Sequence, residues 1–337
     1  MDSEPPFEEA YKSLLVMEEN SKEVKLMSNV VEEECQLPVI DLSPLHGSSE
    51  AEKEECKREI VRASVEWGFF QAVNHGISQE VLKRMRREQV KLFRQPFKKK
   101  TGIGSGGKVS GVPGGSYLWG TPTATCLKQF SWTEAFHIPL ADVSKSVNTN
   151  TTLSLTIKEF VTKASSLAQI IAEILAENLG LKSSFFRESC CFNTCYLRMN
   201  RYPPCPLPFT VFGLMPHTDT NFLTILHQDE VGGLQLVKDG RWVTVKPNPE
   251  ALIINIGDLF QAWSSDVYKS VKHRAMSNRW LERFSVAYFF CPSYDTIIQS
   301  NREPAVYRKF SFREYRQQVQ EDVRTTGNKI GLPRFLL

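Results

Sequence analysis

Residues 212–237, FGLMPHTDTNFLTILHQDEVGGLQLV, decide how the chain is read. Three short runs rich in branched and aromatic residues, 212–217, 223–227 and 234–237, are separated by polar or glycine-containing turns. Runs of that length and composition, bounded by turn residues, read as β-strands. The same texture extends outward, with runs at 194–202, 242–245, 251–256, 268–273 and 284–290 and turns at Asp239-Gly240 and Gly257-Asp258. Eight short strands at this spacing predict a double-sheet jelly roll.

The flanks have a different period. Residues 50–66 and 79–93 carry helical spacing, and 152–179 sustains a 3.6-residue repeat through Phe160, Ala164, Leu167, Ile171 and Leu175, with Gly180 placed to end it. Short strands are expected at 37–42 and 67–73, the second followed by the turn Asn74-His75-Gly76. Residues 101–126 read as a long surface loop, and 312–323 as a closing helix. The predicted fold class is mixed α and β: a double-stranded β-helix (jelly-roll) core, a helical N-terminal layer and a C-terminal helix. The chain divides into an extension over 1–36, a helical region over 37–190 and the jelly-roll core with its helix over 191–337.

Forty-one basic residues against 38 acidic ones leave a net charge of +3, which provides no footprint for nucleic acid. The opening MDSEPPFEEAY lacks the basic and apolar regions of a secretory signal, and runs such as 251–256 are too short to span a bilayer. Eight cysteines without a CxxC pair read as reduced thiols, with Cys190, Cys191 and Cys195 clustered and without an assigned role. A cytoplasmic protein is expected, with the nucleus as a second compartment, that does not bind membranes and is a monomer or weak homo-oligomer. Gly102, Gly104 and Gly107 match G-x-G-x-x-G. They lack the preceding strand and following helix that a phosphate cradle needs, and Val109 stands where a P-loop requires Ser or Thr.

His217 and Asp219 are two positions apart at the end of a predicted strand, where residues i and i+2 share a face. His273, at the end of the predicted strand 268–273, supplies a third ligand. Two histidines and a carboxylate make the facial triad of non-haem Fe(II) oxygenases, which leaves coordination positions open. His46, His75, His137 and His227 read as turn, packing or surface residues. Ten residues after His273, Arg283 and Ser285 share one strand face while Phe284 takes the other. A guanidinium fork beside a hydroxyl suits a carboxylate. Their expected partner strand presents Arg198, Asn200 and Tyr202 together.

His217-x-Asp219, His273 and Arg283-x-Ser285, with Asn200-Arg201-Tyr202-Pro203-Pro204-Cys205, Leu37-Pro38-Val39-Ile40-Asp41 and Trp67-Gly68-Phe69-Phe70, resemble the plant 2-oxoglutarate/Fe(II)-dependent dioxygenases. The resemblance runs from about residue 37 onward. It implies Fe(II) on His217, Asp219 and His273. It also implies 2-oxoglutarate on Arg283 and Ser285 with help from Tyr202 and Asn200, O2 as oxidant and ascorbate as a stimulant in vitro. Segments 195–205, 213–219, 231–236, 259–264 and 312–323 resemble gibberellin 2-oxidases that act on C20 gibberellins. The implied function is 2β-hydroxylation of gibberellins, which deactivates the hormone pathway. Arg198 is then a candidate for the substrate carboxylate, and Tyr117, Trp119 and Phe289 are candidate pocket residues. The alternatives are a same-fold dioxygenase for another plant small molecule, such as a flavonoid or another hormone, and a catalytically silent jelly-roll binding protein.

Overall fold

The computed structural model describes residues 3–19, 33–47, 49–102, 115–145, 151–190, 193–206, 211–300 and 302–337. Gly104, Gly107 and Cys191 lie outside them.

Among the described residues, an eight-stranded sheet runs in the order Val39–Asp41, Phe69–Val73, Leu252–Ile256, Leu223–Gln228, Arg283–Phe290, Tyr196–Tyr202, Glu134–Pro139, Ser116–Trp119. A five-stranded sheet runs Glu34–Cys35, Arg241–Val245, Leu234–Lys238, His273–Met276, Phe212–His217. The sheets face each other through an apolar layer that includes Phe69 and Ile253 from the large sheet and Leu234, Leu236 and Val243 from the small one. On the other face of the large sheet lie the helices Glu50–Glu66, Gln79–Phe93 and Thr152–Asn178. Leu252–Ile256 is therefore covered on both sides, and all five of its residues are buried. A strand covered on both sides requires a near-continuous apolar run instead of an alternating one, and here only Asn255 interrupts it.

The helices begin and end where local chemistry dictates. Ser49 and Glu52 form a reciprocal capping box at Glu50–Glu66. Ser78 caps Gln79–Phe93, and Gly180 follows Thr152–Asn178 at φ +66°. The last helix, Phe312–Thr326, is capped by Ser311 and closed by Gly327 in the left-handed conformation. Among the described residues, no helix is long and apolar enough to cross a membrane.

Two sequence readings change. Residues 268–272 are not a strand: the strand begins at His273 and runs to Met276. Tyr268 instead plugs the core, fully buried, with its hydroxyl donating to Leu175 O at 2.9 Å. The amide of Ser270 donates to the Gln261 side chain at 2.7 Å, so this backbone group is satisfied outside a sheet ladder. Within the expected 101–126 loop, Ser116–Trp119 pairs antiparallel with Glu134–Pro139, a strand the pattern did not reveal because it carries a buried charge and ends in proline.

That charge, Glu134, organises the N-terminal edge of the molecule. Its carboxylate is fully buried and accepts hydrogen bonds from Lys100, from Arg201 Nη1 at 2.6 Å and from the Tyr117 hydroxyl at 2.5 Å. Arg201 also holds Glu282 at 2.9 Å and clasps Glu4 through both terminal nitrogens at 2.9 and 3.0 Å. Glu4 thereby ties down the segment that carries Phe7 and Tyr11 into a small aromatic cluster with Phe130 and Trp132. Removing one member of a buried ionic group leaves the others uncompensated, at a cost of about 3–5 kcal/mol. Glu134→Gln, which leaves Lys100 and Arg201 facing a neutral amide, is expected to lower stability by about that amount. Equilibrium urea unfolding measures this, and an unchanged midpoint would mean that solvent compensates the two cations.

Candidate metal and co-substrate site

His217 is the last residue of its strand, and His273 is the first of the neighbouring one. They are direct cross-strand partners, with ring centroids 4.3 Å apart. Each ring is oriented by its own backbone. His217 Nδ1 donates to Met215 O at 2.8 Å, and His273 Nδ1 donates to Val271 O at 3.0 Å. Both Nε2 atoms are left facing inward, a hydrogen-bonding pattern usual for metal-bound histidine. Phe69 packs edge-on against His273 at 5.3 Å.

Asp219 lies beyond the strand end, so it converges through the turn and not through the strand pleat. Its Oδ2 accepts from Thr224 Oγ1 at 2.6 Å and from Asn255 Nδ2 at 2.9 Å. Oδ1 stands 3.8 Å from His217 Nε2 and 3.9 Å from His273 Nε2. The three donor atoms lie within 4.8 Å of one another. Burial, and then the neighbouring His273, hold His217 well below the ordinary imidazole range. Burial acts upward on Asp219, but His273, His217 and the bonds from Thr224 and Asn255 outweigh it and hold the carboxyl low. A neutral His217 imidazole beside an ionised Asp219 carboxylate is what metal ligation needs of these two groups. Two nitrogens and one oxygen suit Fe(II) and leave room for a chelating co-substrate.

Arg283, Ser285, Asn200 and Tyr202 line the same cavity, of about 420 Å³, as His217, Asp219 and His273. Arg283 pairs across the strands with Tyr202, and Ser285 with Asn200. The Arg283 side chain passes over the Tyr202 ring at 4.8 Å, and Nη2 donates to Gln228 at 2.6 Å. Its Nε and Nη1 are buried without a hydrogen-bond partner. A buried cation with two unused donors is costly unless an anion completes it, and a carboxylate does so in geometry. Asn200 Nδ2 donates to Ser285 Oγ at 3.3 Å while its Oδ1 accepts from Arg198 Nε at 2.8 Å. From behind, Gln89 donates to the backbone carbonyls of Ser285 at 2.7 Å and Asn200 at 3.3 Å, which fixes the two strands together. Phe284 points away into the core, as its alternation requires.

Arg198 and Phe289 also line the cavity. Tyr117 and Trp119 do not. Tyr117 is committed to Glu134 and packs on Phe136, and Trp119 packs among Phe7, Tyr11 and Phe97 at 5.4 to 5.9 Å. The face that holds them serves the edge of the large sheet and the docked N-terminal segment. In their place are His137, which the sequence reading made a packing or surface residue, and Tyr196, which it passed over. The His137 ring lies tilted against Tyr196 at 4.5 Å, and Tyr196 stacks on Phe289 at 4.4 Å, so three rings form one wall. Tyr196 shares the face of Arg198, Asn200 and Tyr202, a signal that the two-residue period contains. Burial, followed by Arg198 and Arg316, pushes His137 down to about 4, so a neutral imidazole faces the cavity. Arg316 and Lys329 reach the cavity from the C-terminal helix and the turn after it, which no local pattern announces.

A family model for the 2OG-Fe(II) oxygenase superfamily matches residues 188–292, and one for the N-terminal region of non-haem dioxygenases in morphine synthesis matches 37–152. The chain is 57% identical to gibberellin 2-beta-dioxygenase 8 of Arabidopsis thaliana, over 99% of this chain and 98% of that one. It is 49% identical to gibberellin 2-beta-dioxygenase 5 of Oryza sativa subsp. japonica, over 99% and 97%. Among solved structures it is similar to JOX2 in complex with 2OG, Fe and JA, with a TM-score of 0.73, 31% identity and coverage of 91% of this chain and 90% of that one. The chain belongs to the 2-oxoglutarate/Fe(II) oxygenase superfamily. Within it, the chain is a 2-oxoglutarate-dependent dioxygenase, whose cofactor and co-substrates are Fe(II), 2-oxoglutarate and O2.

The unused donors of Arg283 generate a prediction. Removing one partner of a buried charge pair costs about 2–5 kcal/mol, so Arg283→Met is expected to raise the KM for 2-oxoglutarate at least about 30-fold while Mn(II) affinity stays within about twofold. Steady-state kinetics and calorimetry read the two quantities. An unchanged KM would remove Arg283 from co-substrate binding.

Proposed function

We propose that this dioxygenase hydroxylates gibberellins at the 2β position, with C20 gibberellins as its substrates, and so deactivates the hormone pathway. The observation that carries the substrate is that four relatives, all gibberellin 2-beta-dioxygenases, are 43–57% identical to this chain over nearly its whole length. The resemblance of 195–205, 213–219, 231–236, 259–264 and 312–323 to enzymes acting on C20 gibberellins supports the narrower substrate.

The cavity's chemistry agrees with that reading. Gibberellins are apolar polycyclic acids. Leu214, Leu226, Tyr196, Phe289, Phe312 and Val319 provide apolar walls, and Arg198 and Arg316 provide cations. A mostly apolar pocket with a few placed charges both orients and selects such a ligand. Arg198 is the group we assign to the substrate carboxylate, because Asn200 holds its Nε and directs the rest of the guanidinium along the cavity face.

His217, Asp219 and His273 would hold the iron, and Arg283 with Ser285 would hold the distal carboxylate of 2-oxoglutarate, with Tyr202 and Asn200 supporting them. Bound iron supplies the activation of O2 that couples decarboxylation of 2-oxoglutarate to hydroxylation. In balance, substrate, 2-oxoglutarate and O2 become hydroxylated product, succinate and CO2. The chain's own residues position the C2–H bond, exclude water and neutralise carboxylates, and no side chain has to act as a general base.

The test is an aerobic incubation with Fe(II), 2-oxoglutarate, ascorbate as stimulant and a C20 gibberellin, followed by mass spectrometry. The expected product is heavier by one oxygen, accompanied by succinate and absent with His217→Ala. Arg198→Met is expected to raise the KM for the gibberellin at least about 30-fold and to leave the KM for 2-oxoglutarate nearly unchanged. Hydroxylation of a different acid from a substrate panel, with the gibberellin untouched, would keep the reaction and overturn the substrate. No 2-oxoglutarate turnover across the panel would favour a silent binding protein.

A further inference from the structure

The turn between His217 and Asp219 is held from outside by the C-terminal segment. Lys329, two residues past the glycine that ends the last helix, extends its ammonium into this turn with little exposure. It donates to Thr218 O at 2.8 Å, to Thr218 Oγ1 at 2.9 Å and to the Asp258 carboxylate. Asp258 is buried and also accepts from the Tyr315 hydroxyl at 2.6 Å and from Thr218 Oγ1 at 3.1 Å. Its backbone amide donates to Asp219 O at 2.8 Å.

The two carbonyls involved belong to the peptide units on either side of the Asp219 α-carbon. Lys329 holds the one before it, and the Asp258 amide holds the one after it. Together they fix the backbone rotation that aims the carboxylate between the two imidazoles. The approach depends on Gly257, where an added Cβ would meet Asn221 O at 2.1 Å. Lys329 also lines the cavity, so the C-terminal wall and the ligand turn share this ammonium.

We propose that Lys329 is a positioning residue for the metal centre: by bonding the Thr218 carbonyl while neutralising Asp258, it sets the backbone of Asp219 and thereby the affinity for the divalent ion. This rests on His217, Asp219 and His273 being the metal site and does not depend on which substrate the cavity takes. Groups that orient a metal ligand from outside change metal affinity about 10–100-fold when removed.

The measurement is Mn(II) binding to the full-length apo-protein by calorimetry, with the thermal midpoint recorded for each variant. Lys329→Met should weaken Mn(II) binding about tenfold or more. It also strands a buried carboxylate, which lowers the midpoint for an unrelated reason. The double variant Lys329→Met with Asp258→Asn removes both charges, and the amide oxygen it places at position 258 can still accept from Tyr315. It should recover most of the midpoint and keep the tenfold loss of affinity. If Lys329→Met does not fold, the double variant is read against wild type alone. Mn(II) affinity within twofold of wild type in the double variant would overturn the proposal and leave Lys329 a purely structural counter-ion. Failure of the wild type to bind one Mn(II) per chain would overturn the metal site itself, and this inference with it.

Discussion

The site depends on one register: His217 opposite His273 on adjacent antiparallel strands of the smaller sheet. A slip of either strand by one residue would turn its own imidazole to the other face and part the pair. The register is secured on the far side of the same strand, where His273 pairs with Leu236 and Ala275 with Leu234. Leu234 and Leu236 belong to the apolar layer between the sheets. The hydrophobic contact that joins the two sheets is therefore also what sets the two histidines opposite each other. After His273 the ladder becomes irregular, and bulges of this kind commonly re-aim side chains beside active sites.

Around that register the charged groups differ in how they are paired. Glu134, Lys100, Arg201 and Glu4 neutralise one another and fasten the N-terminal segment to the sheet edge. Asp219 is surrounded by donors on one oxygen and left open on the other. Arg283 is satisfied on one nitrogen and left wanting on two. The Glu134 carboxylate is thus completed within the chain, while Arg283, which lines the cavity, keeps two donors unpaired.

Much of this was legible in the sequence because it rests on short-range periodicity. The i, i+2 rule placed Arg283 with Ser285, and Arg198 with Asn200 and Tyr202, and the strands carry them as expected. The helices at 50–66 and 79–93 begin at serine caps written into the chain. Periodicity misled at His273, which starts a strand instead of ending one, because the apolar Tyr268 and Val271 resemble strand residues while the backbone between them bonds as a loop. It was silent on Arg316 and Lys329, whose place in the cavity is set by how the last helix packs, a tertiary fact without local signature. Tyr117 and Trp119 have the aromatic character of pocket residues, but the buried Glu134 and the N-terminal Phe7 and Tyr11 take them up. A partner so distant along the chain cannot be inferred from composition.

Isotope labelling tests whether these residues together run a reaction in which one molecule of O2 is divided between 2-oxoglutarate and a gibberellin. Purified enzyme with Fe(II), 2-oxoglutarate and a C20 gibberellin is incubated under 18O2, and both products are weighed by mass spectrometry. One labelled oxygen is expected in succinate and one in the new hydroxyl. A hydroxyl carrying oxygen from water, or gibberellin turnover without labelled succinate, would contradict that division of O2.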